Sequence, residues 1–298
     1  MLEYLCNSCK VAQIDNRKDG CLKRKIISIV FMLALVVSCF SMMSMASASR
    51  YGPSISIDGS VFTGEVNVKD NTTFVGIRKF STSMYWNANV SYNSSTRTIT
   101  VKTDKLTLTA KDGANYIVAN GRYLFTSTPI YMKNGRMYAP LLLMAKAFDA
   151  KATWNNATSS FNVARGSGGI LSGDKFYRED EVYWLSKIIS AEARGEIFLG
   201  KIAVGNVILN RTKSPYFPNT IYGVIFDRKN GIQFSPVANG TIYGSPTSES
   251  IAAAKACLEG YTVSKDILYF VNPKVVPNSW VSKNRAFFAQ IGNHAFYK

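Results

Sequence analysis

A glycine- and serine-rich segment, residues 165–173, divides the 298-residue chain into halves with different hydrophobic periodicities. Between 51 and 165, apolar and polar residues alternate in short runs bounded by Gly, Asn or Asp, which is typical of half-buried strands. From Asp174 onward, apolar residues recur at three- and four-residue spacing, which is typical of helices. We therefore predict an α+β protein with two domains, joined by a flexible linker over residues 166–173.

The first 48 residues have the composition of a secretory signal peptide. Three consecutive basic residues precede an apolar run over 26–40, and the sequence Ala-Ser-Ala, ending at Ala48, follows it. We predict cleavage after Ala48. An uncleaved membrane anchor is the alternative, because the apolar run is just long enough to cross a bilayer. Both interpretations place the rest of the chain outside the cytoplasm.

Loss of residues 1–48 leaves a strongly basic chain with one cysteine, Cys257. It removes six basic and three acidic side chains, so that the formal net charge becomes +13. Such a charge favours a polyanionic partner. No stripe of Lys and Arg interleaved with aromatic residues points to nucleic acid. We predict the anionic polymers of a bacterial wall as the partner, and a generally basic, solvated surface is the alternative.

Residues 53–165 contain an internal repeat, which predicts a duplicated helix-plus-hairpin unit. The segment Phe-Val-Gly-Ile at 74–77 corresponds to Tyr-Ala-Pro-Leu at 138–141, and the turn at 92–96 corresponds to that at 154–158. This half resembles the copper amine oxidase N-terminal-like domain. The family name implies copper, but the region has no His and no Cys, so we predict no metal here. We expect a wall-attachment or spacer role.

The first helix predicted in the second half places a carboxyl group in an apolar stripe. The stripe through Leu185 and Ile188 continues to Glu192, and Gly195 predicts that the helix ends soon afterwards. A carboxyl group among apolar neighbours has a raised pKa, because its charged form loses solvation. Such an acid can protonate a glycosidic oxygen near neutral pH. Periodicity alone also allows Glu192 to face water or to pair with Arg194.

Five motifs follow one another from this point. They cover residues 189–196, 200–211, 214–221, 233–236 and 269–273, and the first reads Ile-Ser-Ala-Glu-Ala-Arg-Gly-Glu. In this order they resemble the SleB/CwlJ-type cell wall hydrolases, which are named for spore cortex-lytic enzymes. The resemblance covers residues 178–298. It implies a lysozyme-like, mostly helical domain with a small sheet, which cleaves the bond between muramic acid and glucosamine in peptidoglycan. It also implies that Glu192 is the catalytic acid/base.

The same motifs supply further candidates for the site. The predicted substrate-binding residues are Gln233, Phe234, Tyr269, Phe270 and Asn272. A core role is the alternative for the aromatic residues, and a turn is the alternative for Asn272. Glu196 is a possible second carboxylate, unless it pairs with Lys201 or Arg194. If only Glu192 serves, a lytic transglycosylase is expected; two carboxylates would instead give a muramidase-type hydrolase. We predict no cofactor.

Three other classes of protein remain as alternatives. A zinc amidase needs about three protein ligands, usually with several His, and the chain has a single histidine, His294. A Cys/His peptidase would have to pair His294 with Cys257, which occupies an Ala-rich predicted helix where a buried thiol is ordinary. The third alternative is a non-catalytic, cationic wall-binding protein.

Overall fold

Two hydrophobic cores, one in each half of the chain, organise residues 52–298, which is the part that this computed structural model describes. The first core takes buried residues from 55–170, and the second takes them from 185–296. The predicted signal segment lies outside the described residues. Within 52–298, no helix is both long and apolar enough to span a membrane.

The first half is built from three antiparallel or mixed sheets and two short helices. The helices are α1 (Ile77–Met84) and α2 (Leu141–Ala147). The sheets have the strand orders β12-β13-β1-β2, β10-β11-β4-β3 and β5-β6-β7-β8-β9. The strands are β1 (Ser54–Ile57), β2 (Ser60–Val61), β3 (Val66–Lys69), β4 (Thr72–Gly76), β5 (Asn89–Asn93), β6 (Thr98–Lys102), β7 (Thr107–Lys111), β8 (Tyr116–Ala119), β9 (Arg122–Phe125), β10 (Tyr131–Lys133), β11 (Arg136–Pro140), β12 (Lys151–Asn155) and β13 (Ser160–Ala164).

The duplicated helix-plus-hairpin unit is confirmed. Strand β4 leads into α1 and the hairpin β5–β6, and β11 leads into α2 and the hairpin β12–β13. The two leading strands pair antiparallel, with Gly76 opposite Tyr138 and Phe74 opposite Pro140. The repeats thus meet at corresponding strands. Phe80 and Phe148 from the two units pack edge to face, with ring centroids 6.2 Å apart.

The second half is mostly helical with a small sheet, so the α+β class is also confirmed. The sheet has the order β14-β16-β15, formed by Tyr269–Val271, His294–Tyr297 and Phe287–Ile291. The helices are α3 (Gly173–Phe176), α4 (Glu179–Ala193), α5 (Phe198–Lys213), α6 (Ile221–Ile225), α7 (Ser235–Asn239), α8 (Ser248–Leu258) and α9 (Trp280–Asn284), and a 3-10 turn covers Thr241–Tyr243.

Helices α4, α5 and α8 form the core of this half. Leu185, Ile188 and Ile189 on α4 are fully buried, as the predicted stripe requires. The approach between α5 and α8 is close, because a Cβ added at Gly205 would lie 2.7 Å from the Cys257 Sγ. A side chain at position 205 would therefore separate the helices that hold α4 in place.

Segment 166–173, which we predicted as a flexible linker, packs against the first half. Ile170 is buried, and its backbone N–H donates to the Ala147 carbonyl at 3.0 Å. A Cβ added at Gly169 would lie 2.2 Å from the Lys105 carbonyl oxygen. The glycine allows close packing of two backbones here, which composition cannot distinguish from a glycine that allows motion.

A buried ionic network joins the two halves. The Glu259 side chain, 3% exposed, follows α8 and accepts from the Nε of Arg122 on β9 at 2.6 Å and from its Nη2 at 2.7 Å. It also accepts from Lys146 at 3.1 Å and from the Tyr177 hydroxyl at 2.8 Å. Burial would raise the pKa of Glu259, but these hydrogen bonds outweigh it and hold the pKa below its usual value. The halves therefore dock through a paired charge.

Candidate active site

A groove of about 1180 Å³ crosses the second half, and Glu192 lies on its wall. Glu192 is the second-to-last residue of α4, so a buried helix fixes its backbone. Other parts of the wall come from the segment before α7, from β14 and from α9. A groove of this size is large enough for an extended ligand of several sugar rings.

The Glu192 carboxyl group is partly buried and unpaired. No group between residues 52 and 298 donates a hydrogen bond to it or forms an ion pair with it. Burial raises its pKa to about 7, and no other cause contributes. The apolar stripe that Glu192 interrupts had predicted that its pKa is raised. A pKa near neutrality allows Glu192 to hold a proton and to donate it near neutral pH.

The structure brings all five predicted substrate-binding residues to the same groove as Glu192. Gln233 donates from Nε2 to the Gly231 carbonyl at 3.1 Å, which holds the loop before α7. Phe234 is 4% exposed and stacks on Phe270 at a centroid distance of 6.3 Å, so it is chiefly a core residue. Asn272 accepts at Oδ1 from the Lys274 N–H at 3.0 Å and thus also shapes a turn.

Glu196, the possible second carboxylate, is not among the residues that line the groove. Its carboxylate accepts from the backbone N–H of Asn293 at 2.8 Å and from that residue's Nδ2 at 3.0 Å. The alternative, an ion pair with Lys201 or Arg194, does not form: Lys201 donates to the Glu196 backbone carbonyl and acts on the carboxylate only through its charge, and Arg194 donates to the Ser245 carbonyl. Glu196 thus ties the turn between α4 and α5 to the hairpin β15–β16.

Two protein families match different halves of the chain. A cell wall hydrolase family matches residues 195–297, and the copper amine oxidase N-terminal domain family matches residues 56–163. Spore cortex-lytic enzymes from Bacillus cereus and Oceanobacillus iheyensis are 32% and 34% identical to this chain, over 53% and 48% of its length. The alignments cover 62% and 51% of those proteins, so the chain spans about half or more of each.

The solved catalytic domain of the germination-specific lytic transglycosylase SleB from Bacillus anthracis is also similar. It is 35% identical, with 41% of this chain and 97% of that chain covered and a TM-score of 0.37. The second half is a SleB-like cell wall hydrolase domain. The first half is a copper amine oxidase N-terminal domain. The role of Glu192 stays a prediction, since the family match begins at residue 195.

Several residues of the hydrolase-domain groove were not predicted as site residues. They are Arg211, Tyr216, Trp280, Arg285 and His294. Tyr216 and Trp280 are 81% and 60% exposed. Large exposed aromatic side chains next to an acid are a signal for sugar stacking, but exposure cannot be deduced from isolated aromatic residues in a sequence. Arg211 lies in the second motif. The helical spacing there gave no reason to place its side chain in the groove and not on a solvated surface.

Cys257 of the hydrolase domain does not line the groove to which His294 contributes. It is buried between helices, and its Sγ is 3.5 Å from the Ile202 carbonyl oxygen. Burial raises its pKa well above the usual thiol value, so that it stays protonated. This placement argues against a Cys/His nucleophile.

The copper amine oxidase N-terminal domain of this chain does not fit a copper ion. Copper sites in proteins use imidazole or thiolate ligands, and residues 56–163 contain neither. Across residues 52–298, no three His, Cys, Asp or Glu side chains come together in a way that would hold a metal.

Proposed function

We propose that this protein cleaves the bond between muramic acid and glucosamine in peptidoglycan, as a lytic transglycosylase with Glu192 as its acid/base. The observation that carries the proposal is an unpaired carboxyl group with a raised pKa on the wall of a groove of about 1180 Å³. Glu192 is the one acidic residue among the described residues that line this groove. An inverting hydrolase needs a second carboxylate on the opposite side of the bond, and Glu196 is held elsewhere.

One carboxyl group suffices for both steps of this reaction. Protonated Glu192 donates its proton to the glycosidic oxygen as the bond from that oxygen to the anomeric carbon breaks. The resulting carboxylate then accepts the proton of the muramic 6-hydroxyl, while the 6-oxygen bonds to the anomeric carbon. Glu192 ends protonated, no water is consumed, and the product is a 1,6-anhydro sugar. The exposed rings of Trp280 and Tyr216 offer faces for neighbouring sugars.

The place of action follows from the substrate. Peptidoglycan lies outside the cytoplasm, so we propose an exported protein that acts on a cell wall or, as the names of its relatives suggest, on a spore cortex during germination. The net charge of +16 for the full chain favours contact with anionic wall polymers. For the first domain we propose a wall-attachment or spacer role, and we propose no nucleic-acid partner. The membrane would be contacted only through the predicted signal segment, if it is uncleaved.

The product distinguishes this mechanism from hydrolysis. Purified sacculi digested with the protein should release fragments whose mass is lower by one water than that of the reducing-end sugars, as read by mass spectrometry. Fragments with a free reducing end would instead indicate a muramidase-type hydrolase. Binding to sacculi without any released fragment would identify a non-catalytic wall-binding protein.

The pKa of Glu192 also predicts a pH dependence. The first step requires the protonated acid, so kcat/KM on a soluble glycan should fall by about tenfold for each pH unit above the pKa of about 7. Below that pH the acid is protonated and this limb should level off. A rate profile between pH 5 and 9 checks this. A rate that is constant from pH 6 to 9 would contradict the assignment of Glu192 as the proton donor.

A further inference from the structure

Two arginine side chains that form no ion pair among the described residues approach one aromatic ring on the groove wall. The guanidinium carbon of Arg211 lies 5.3 Å from the centroid of Tyr269, and that of Arg285 lies 4.7 Å from it. Both residues line the groove that contains Glu192. Neither forms an ion pair with any carboxylate between residues 52 and 298. The third cation of this wall, Lys298, differs because Asp266 lies 3.3 Å from its Nζ.

Arg211 is held rigidly and forms no ion pair among the described residues, although the charge of Asp227 acts on it from outside ion-pair distance. It is 5% exposed, and its Nε donates to the Leu268 carbonyl at 2.7 Å. Two further rings surround it, with centroids at 4.6 Å for Phe217 and 5.3 Å for Phe234. Its Nη1 is buried without a hydrogen-bond partner among the described residues. A buried N–H group of a guanidinium that lacks a partner is costly, which is expected where a ligand completes the site.

Arg285 supplies a second, exposed guanidinium. It comes directly after α9 and lies 5.0 Å from the Trp280 centroid as well as over Tyr269. Stacking between two rings orients a planar guanidinium, whose parallel N–H groups match a carboxylate.

We propose that Arg211, Arg285 and Tyr269 form a subsite for a carboxylate of the glycan strand, which we call the arginine subsite. The lactyl group of muramic acid, or the peptide attached to it, carries such a carboxylate, and glucosamine does not. This inference rests on the proposed function, because it takes peptidoglycan glycan as the ligand. It adds that the groove distinguishes acidic strands from neutral ones and positions the muramic residue along the groove.

Binding to matched charged and neutral glycans tests the subsite. The probes are soluble peptidoglycan glycans with free carboxylates and the same glycans with their carboxylates converted to methylamides. In the Glu192→Gln background, which prevents turnover, the charged glycan should bind about 10- to 100-fold more tightly by calorimetry. Arg211→Met and Arg285→Met should each reduce this preference about tenfold or more. Lys283→Met is the matched control, since Lys283 is exposed on α9 outside the groove lining, and it should keep the preference.

The outcomes separate the subsite from the proposed function and from a structural role. Equal binding of the two glycans, or an unchanged preference in both arginine variants, overturns the subsite. A purely structural Arg211 would lower the affinity for both glycans equally and lower the Tm, which also overturns it. If Arg211→Met does not fold, Arg285→Met decides, because its side chain is exposed. Wild-type protein that prefers the charged glycan but cleaves neither would refute the proposed function and leave the subsite in place.

Discussion

Glu192→Gln is expected to abolish glycan cleavage while leaving binding to sacculi unchanged. Glutamine has the shape of the protonated acid but has no acidic proton to donate. Loss of a general acid lowers rates on the order of 10²- to 10⁴-fold. The loss should lie at the upper end of that range, because Glu192 is also proposed to accept the proton of the 6-hydroxyl. The measurement is the initial rate of fragment release from sacculi, together with the amount of protein bound.

The fold should tolerate this change. The Glu192 carboxyl group forms no hydrogen bond or ion pair with the rest of the described chain, and burial makes its charged form unfavourable. The Tm of Glu192→Gln should therefore equal or slightly exceed that of the wild-type protein. Glu179→Gln, at the exposed first residue of the same helix, is the matched control and should retain full activity. A Glu192→Gln protein that still releases glycan at the wild-type rate would eliminate the proposed mechanism.

Glu192 could be predicted from the sequence because both of its signals are local. Three residues at helical spacing define the stripe, and eight consecutive residues define the first motif. The raised pKa then follows from burial alone. The repeat in the first half was predictable for the same reason, since each copy is one contiguous helix and hairpin. The antiparallel pairing of β4 with β11 required the structure.

Arg211 could not be predicted, because its surroundings come from distant parts of the chain. Phe217, Phe234 and Tyr269 approach its guanidinium from three different segments. A sequence shows neither that convergence nor the absence of an ion pair to Arg211 among the described residues. Likewise, the motif at 233–236 predicted Phe234 as a substrate-binding residue. It does not show that this side chain contributes mainly to the core.

The packing between the two halves of the chain could not be predicted from the sequence either. Glycine and serine content predicted a flexible linker, whereas the structure packs Ile170 against the first half. Arg122 and Glu259 are 137 residues apart in sequence, and both are almost fully enclosed. An interface between domains depends on such pairs of residues, which are remote in sequence. Removal of one partner of this pair should therefore have a large effect on stability.

Glu259→Gln is expected to lower the free energy of unfolding by about 3–5 kcal/mol, because it leaves the buried Arg122 guanidinium without its counter-charge. Urea unfolding followed by fluorescence measures this. The pH dependence has a defined sign, since the pKa of Glu259 is lower in the folded protein than in the unfolded chain. The stabilisation is complete above the ordinary glutamate pKa of about 4.5 and is lost as the pH falls through the lowered value.

Lys146→Met is the matched control for this network. Lys146 contacts the same carboxylate, but its side chain is 46% exposed, so its removal should cost no more than about 1 kcal/mol. The double variant Arg122→Met with Glu259→Met should recover part of the loss, because no buried charge is then left unpaired. Two separate unfolding transitions, neither of them shifted by Glu259→Gln, would contradict a docked interface and restore the picture of two independent domains. A single shifted transition would show that the amine oxidase-type domain stabilises the α4, α5 and α8 core on which Glu192 is mounted.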